Sequence, residues 1–326
     1  GFFRGRAHLE NGDEDRALAS WRDVWRRYPF SFYGYLSHVA LRNQGSQPPD
    51  LRDGKAASPP GWFFDPEWNG SLVRQFASLQ LWKLAGDLAA GHIARRRADG
   101  DEISEQEYWR LALLYHRSGD YAHSHNIPRR RIPGRPWAQP EVGRLTRWQV
   151  AFPRPFSGLV ADAVAAESRP ESSAQVAPEL VLSIMREESS FVEGIVSWAG
   201  AVGLLQLMPS TARHHDGDIA GEATVEKLKT AEVNVRVGVD HLFLLARKLD
   251  SHPAAMVAAY NAGLGAVGSW LPAPGRSEEV GIWVEDIPYR QTRNYAKRVI
   301  GSYAAYQWLS EDQSISRRAA APIEDF

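Results

Sequence analysis

The sequence contains no cysteine. That excludes disulfides, thiol catalysis and cysteine-ligated zinc, and it is compatible with an oxidising compartment. No apolar run is long enough to span a bilayer. Net charge is almost absent: 38 Lys and Arg against 39 Asp and Glu leave -1. A near-neutral chain offers no general electrostatic case for binding nucleic acid. Two short basic runs, Arg95–Arg97 and Arg129–Arg131, are read as solvated faces. A starting methionine is missing as well. The chain opens at Gly1 with no visible signal peptide, which is read as a removed targeting segment or a fragment. What is present is a 326-residue chain, 44% hydrophobic and 11% aromatic, enough for two or three domains with a sizeable core.

The first part reads as helices. Residues 1–28 give an apolar helix, a Gly12-Asp13 break and a second helix in which Ala17, Trp21, Val24 and Trp25 recur at helical spacing. Further Gly-Asp breaks are expected at Gly86-Asp87 and Gly119-Asp120, which lie 33 residues apart. That spacing approaches the period of tetratricopeptide-like helix pairs, so degenerate stacked hairpins are expected. Segments 44–68, 126–143 and 167–178 are rich in Pro, Gly or Ser and read as connections. The tryptophans sit at apolar helical positions and are read as core, with contact to a sugar ligand left open for some of them.

The third connection leads into PELVLSIMREESSF, where Glu187 and Glu188 stand side by side at the end of an apolar run. Pro178 suits a first helical turn and Glu179 its positive end. At roughly 100° per residue, Leu180, Val181, Ile184 and Met185 form one stripe. Glu188 projects near the middle of that stripe and Glu187 roughly 90° to one side of its centre. A carboxyl pointing into a core must be paired, or protonated with a raised pKa. A raised pKa is what a general acid needs near neutral pH. From this helix alone, a bridging structural glutamate and a catalytic one are equally open.

Three later segments narrow the choice. SWAGAVGLLQLMPSTA (197–212) combines the small residues Ala199, Gly200, Ala201 and Gly203 with one amide, Gln206. AAYNAGLGAV (258–267) carries Tyr260 and Asn261, and IPYRQTRNYAKRV (287–299) carries Tyr289, Arg293 and Tyr295. Amides, phenols and close-packing backbone suit a cleft for a neutral, acetamido-bearing polymer. In that order, IMREESSF, SWAGAVGLLQLMP, AYNAG and IPYRQTRNYAKRV resemble the four catalytic-domain motifs of the soluble lytic murein transglycosylases, glycoside hydrolase family 23. The motif resemblance covers roughly residues 150–310. YPFSFYGYLSHVALR (28–42) resembles the family's recurrent Pro-x-Ser-x-Tyr helix, which extends the similarity towards the N-terminus.

The resemblance implies a mainly α fold. Residues 1–150 would form a curved, superhelical array of helical hairpins, and 151–326 a lysozyme-like catalytic domain. It implies cleavage of the bond between N-acetylmuramic acid and N-acetylglucosamine in peptidoglycan, without water. Glu188 of the Glu-Ser pair would serve as acid and then as base, closing a 1,6-anhydro ring. Ser189, Ser197, Gln206, Met208, Tyr260, Asn261, Gln291 and Tyr295 would line the substrate cleft. Tyr260 is expected to hydrogen-bond near Glu188 or the acetamide, and Asn261 to shape its turn. The backbone at Leu207, Met208 and Ala259 is expected to contact sugar. Neither cofactor nor metal is implied. Peptidoglycan glycan strands are the expected partner, with cell-wall synthesis or division proteins as further candidates and nucleic acid excluded. A monomer in the periplasm or cell envelope is expected, with outer-membrane association open.

Two positions depart from the family pattern. The fourth motif often reads Glu-Thr-Arg and here reads Gln291-Thr292-Arg293, so an amide replaces a carboxylate. Leu205 stands where Met is common, a nearly volume-conserving change. A standard glycosidase needs a second carboxylate, and no convincing one falls in the matching motifs. A hydrolytic muramidase would need one, with Glu193, Asp216 and Asp218 available; an inactive wall-binding scaffold is the other alternative. His214, His215, Asp216 and Asp218 raise a metal possibility. Adjacent helical histidines diverge, however, and no full calcium-loop spacing is present, so a polar helix end is expected there.

Overall fold

The structure, a computed structural model, describes residues 1–49, 71–132, 145–169, 172–215, 223–272 and 279–311. Helices begin where short polar side chains cap them. Asp13, Ser31, Ser104 and Asp120 accept the backbone N–H of Arg16, Gly34, Glu107 and His123. Ser104 and Glu107 complete a reciprocal capping box. Among the described residues there is no extended strand, only two isolated antiparallel bridges, Val196 with Val202 and Val202 with Leu207.

The chain divides into two compact units that do not follow chain order. The opening helices α1 (Phe2–Glu10), α2 (Glu14–Arg27) and α3 (Phe32–Asn43) belong with everything from residue 156 onward. The other unit holds α4 (Leu72–Ser78), α5 (Trp82–Ala98), α6 (Glu105–Arg117), α7 (Tyr121–Arg131) and α8 (Leu145–Ala151). This packing differs from the two regions 1–150 and 151–326 expected above, because α3 packs on α17, and α1 and α2 pack with α3.

Within the middle unit, neighbouring helices pair in sequence, as hairpins do. Its core joins Ala85, Ala89 and Ile93 of α5 to Leu111, Leu114 and Tyr115 of α6. Two expectations need correction here. Gly86-Asp87 is not a break but lies inside α5. A Cβ on Gly86 would make only ordinary contact, 3.4 Å from the Tyr115 ring, so neither a break nor a close approach requires the glycine there. Asp87 pairs with Lys83 one turn earlier and accepts from the Tyr115 hydroxyl. Gly12 and Gly119 do break the chain, with φ of +77° and +79°. The second connection also starts later than expected, since α7 continues to Arg131 with Pro128 buried inside it.

The other unit continues with α9 (Ser157–Glu167), α10 (Pro178–Glu188), α11 (Pro209–His215), α12 (Ala223–Leu228), α13 (Ala231–Lys248), α14 (Pro253–Ala262), α15 (Leu264–Gly268), α16 (Val280–Asp286) and α17 (Arg290–Glu311). α10 packs against α9 and α17, and α17 also contacts α14 and α3. Burial of α10 therefore exceeds the expected stripe: Leu182, Ser183 and Arg186 are buried along with Leu180, Val181, Ile184 and Met185. No described helix is long and apolar enough to cross a membrane.

The N-terminal helices are joined to the C-terminal ones by several contacts. Tyr33 hydrogen-bonds Glu285, which also pairs with Lys297. The Phe30 and Trp308 rings lie 5.5 Å apart. Gly301 of α17 lets the Phe30 backbone approach, and a Cβ there would come 2.6 Å from its carbonyl oxygen. Gly301→Ala tests this packing, because Ala is the better helix former by about 1 kcal/mol. The clash with backbone should outweigh that gain and lower stability by about 1–3 kcal/mol in thermal or urea unfolding. A stabilised variant would contradict the close approach.

Candidate active site

The site begins where α10 ends. Arg186, Glu187 and Glu188 are its last three residues, and one face of α17 meets all three. The Tyr295 hydroxyl donates to Glu188 Oε1 at 2.6 Å. Arg298 Nε donates to Glu187 Oε2 at 2.8 Å. Arg186 Nη1 reaches Ser302 Oγ at 3.1 Å and Glu187 Oε1 at 3.3 Å. Tyr295, Arg298 and Ser302 are spaced i, i+3, i+7, the period that puts side chains on one helix face.

This arrangement separates two neighbouring acids. The Glu187 carboxylate is 3% exposed and paired with two guanidinium groups. Glu188 has a phenol and no cation in contact. Burial pushes its carboxyl up to about 7; the Tyr295 hydrogen bond pulls it down, Glu187 pushes it up and Arg298 pulls it down. Tyr295 and Tyr260 are held well above the ordinary phenol range, first by burial and then by the charge of Glu188, so both remain donors. A lone buried acid that is half-protonated near neutrality can give a proton and take one back.

The segment after α10 folds back sharply. Ser190 and Phe191 both take left-handed backbone conformations, with φ of 52° and 64°. The Ser189 hydroxyl donates to Met185 O and accepts from Phe191 N, which holds this reversal together. Two bridges then build a small irregular hairpin from 196 to 207. Ser197 Oγ accepts from Ala201 N within it. Gln206, at φ 47°, donates from Nε2 to Gly203 O and Ile195 O.

Buried Asn234 of α13 fastens the hairpin to the helices. Its Nδ2 donates to Val202 O and Leu228 O, and its Oδ1 accepts from Leu205 N. Gly203, at φ +79°, lies against that amide; a Cβ there would fall 2.1 Å from Nδ2. The Tyr260 hydroxyl donates to Leu205 O at 2.7 Å and so ties α14 to the same hairpin.

Of the residues expected to line the cleft, the structure brings Tyr295 into contact with Glu188 and places Tyr260 within its electrostatic reach. Tyr295, not Tyr260, makes the hydrogen bond to Glu188. Asn261 Oδ1 accepts from the hydroxyl of buried Thr292, linking α14 to α17. Ser189 is buried with its hydroxyl engaged. Gln291 is exposed in the first turn of α17 and Met208 is exposed beside α11. Among the described tryptophans Trp82 and Trp270 are half-buried, and Trp198 departs furthest from a core position, 100% exposed at the hairpin tip.

Arg298 and Asn234 were missed by sequence reasoning. Arg298 carries a legible signal, three residues after Tyr295 on the same helix. Asn234 resembles any helix-surface amide until its partners are known. His215 is the last residue of α11, the polar helix end expected there, and it bonds Asp240 and His241. Asp216 and Asp218 lie outside the described residues. Among the described residues, no group of three His, Asp or Glu side chains is arranged to hold a metal ion.

Residues 166–282 match the family described as Transglycosylase SLT domain. The soluble lytic murein transglycosylase of Escherichia coli strain K12 is 33% identical over 145 residues, 44% of this chain and 22% of that protein. Membrane-bound lytic murein transglycosylase C of Histophilus somni is 31% identical over 159 residues, 41% of this chain and 43% of that protein. The crystal structure of the 70 kDa soluble lytic transglycosylase from Escherichia coli superposes with a TM-score of 0.69 at 22% identity, covering 95% of this chain and 45% of the other. An inactive Glu-to-Gln mutant of lytic transglycosylase Slt from Pseudomonas aeruginosa gives 0.71 at 20% identity, covering 100% and 48%. The family resemblance and the mainly helical fold are thereby shown, while the chain spans less than half the length of these relatives.

The buried acid has a thermodynamic consequence. The folded state holds Glu188's proton up to about pH 7, whereas the ordinary value is 4.5. Between those values the folded protein binds the extra proton, so stability falls as pH rises. Glu188→Gln removes that loss. The variant should match the wild type below about pH 4.5 and exceed it by up to roughly 3 kcal/mol at pH 8, measured by urea unfolding across pH. Equal stability at both pH values would mean that Glu188 is solvated.

Proposed function

With residues 166–282 in the transglycosylase SLT family, we propose that this chain cleaves peptidoglycan glycan strands without water. The bond broken is the β-1,4 link between N-acetylmuramic acid and N-acetylglucosamine, and the product is a 1,6-anhydro-muramic end. The observation that supports this reading is Glu188: one buried, phenol-bonded acid with a carboxyl near 7, unaccompanied by a second free carboxylate among the described residues of the motifs.

Protonated Glu188 gives its proton to the glycosidic oxygen as the bond to the muramic C1 breaks. The muramic acetamide oxygen stabilises the positive charge that develops at C1. The C6 hydroxyl then attacks C1, and the Glu188 carboxylate takes the hydroxyl proton. The acid is restored, no water enters, and no cofactor is needed. Tyr295 keeps one carboxyl oxygen fixed and stabilises the carboxylate between the two proton transfers. Tyr260, Ser197, Gln206, Met208, Asn261 and Gln291 are the proposed lining of the cleft, with the hairpin backbone between them.

Glu193, the described acid that a hydrolytic reading would recruit, instead accepts from Ala231 N at the start of α13. The substrate's place in the cell wall puts the protein in the periplasm or cell envelope.

Mass analysis of sugars released from purified peptidoglycan tests this directly. The wild type should release muramic products lighter by one water than hydrolysed ones, and Glu188→Gln should release none. Reducing-end products would replace the proposal with hydrolysis. The pH profile of kcat/KM gives a second check: Glu188 must start protonated, so the rate should fall about tenfold per unit above roughly pH 7. Tyr295→Phe removes a contact that lowers the Glu188 pKa. Its plateau rate should drop by on the order of tenfold while the basic limb moves to higher pH. A limb that stays in place would separate Tyr295 from the acid's titration.

A further inference from the structure

A chain of hydrogen bonds runs beside the site and is used by nothing above. Asp240 Oδ2 lies 2.9 Å from His215 Nδ1, and His215 Nε2 lies 2.8 Å from His241 Nδ1. The His241 ring then stands 5.6 Å from the ring of Tyr260. Asp240 and His241 come from α13, and His215 from the end of α11.

The direction of this chain follows from its first member. A carboxylate only accepts, so His215 Nδ1 carries a hydrogen. With His215 neutral, its Nε2 is then a bare lone pair and must accept, so His241 Nδ1 also carries its hydrogen. His241 Nε2 is left as an oriented acceptor. It meets no protein donor among the described residues and is not sealed from solvent. The ring stays neutral: burial lowers its pKa to about 4, helped by His215, opposed by Asp240 and helped again by His214. Among the described residues, His214, whose ring is perpendicular to His215 at 5.5 Å, and Tyr260 are the further titratable neighbours.

We propose that His241 Nε2 is a glycan-binding group, an oriented lone pair beside Tyr260 that accepts a hydrogen from a hydroxyl or acetamido N–H of an N-acetylated sugar. Asp240 and His215 are positioning residues that hold His241 in the accepting tautomer. The proposal rests on the reading of Tyr260 as part of the glycan cleft. It extends that cleft to a nitrogen outside the four motifs. A neutral acceptor suits an uncharged sugar, because it needs no counter-ion and is left unsatisfied when a ligand lacks the donor.

The test uses the full chain carrying Glu188→Gln, labelled with nitrogen-15 histidine, and tetra-N-acetylchitotetraose as the probe. At pH 7, two-bond nitrogen–proton spectra should show Nδ1–H tautomers for both His215 and His241. The probe should move the His241 Nε2 resonance and leave that of His38 in place. His241→Phe should weaken probe binding by about five- to tenfold. His241→Gln, which restores an acceptor, should recover part of that loss. Asp240→Asn should convert His241 to a mixture of tautomers and weaken binding less.

An Nε2–H tautomer on His241 would overturn the proposal. So would probe binding that perturbs Tyr260 but not His241, or undiminished affinity in His241→Phe. Absence of probe binding also overturns it. Peptidoglycan turnover by the wild type then decides whether the function reading falls with it, since release of anhydro products would leave that reading standing.

Discussion

The pairing of α10 with α17 is the contact on which the site depends. Three consecutive residues at the end of one helix meet one stripe of another: Arg186 with Ser302, Glu187 with Arg298, and Glu188 with Tyr295. Neighbouring positions on a helix diverge by roughly 100°, so a single facing helix treats adjacent acids differently. One acid receives two cations and the other a phenol. Had the cation and the phenol exchanged places on α17, Glu188 would be a structural ion pair and the cleft would hold no acid able to titrate near neutrality.

Everything else fixes where that acid points. The left-handed Ser190 and Phe191 turn the chain away immediately beyond Glu188, so α10 ends at the carboxyl and no further turn covers it. The hairpin 196–207 then has little regular hydrogen bonding of its own. Two bonds to the Asn234 amide, together with the Gln206 side chain and the Tyr260 hydroxyl, supply what a sheet would otherwise supply. Polar groups at a site edge are thereby held rigid from α13 and α14, which are themselves packed into the core.

Local pattern made much of this legible. Pro178 started α10, the apolar stripe aimed Glu188 inward, and the four motifs brought the right segments to one place. That Tyr295 is the phenol bonded to Glu188 was not legible, because two phenols in two motifs are equivalent until helix packing sets their reach. Gly86-Asp87 misled for a related reason. A Gly-Asp pair marks a break at residues 12 and 119, where φ is positive, but at 86 the same pair lies inside α5, where Asp87 bonds Lys83 and the Tyr115 hydroxyl. The return of α1–α3 to α17 was hidden too, since a contact between Phe30 and Gly301 leaves no trace in either local sequence. The Asp240–His215–His241 chain combines residues from two helices whose spacing in sequence carries no signal.

The departure at Gln291 takes on meaning from the same helix pairing. It lies four residues before Tyr295, one turn earlier on α17, in an exposed first turn. A glutamate is favoured there by the helix dipole, so an amide gives up a few tenths of a kcal/mol of helix stability. In return no third carboxylate stands on the Tyr295 face. The carboxylate whose field raises Glu188 is Glu187, and that charge is already matched by Arg298. The proton affinity of Glu188 therefore rests on burial and one phenol, both set by the core. That is a more rigid basis than a charge on a solvated side chain, whose influence falls with ionic strength.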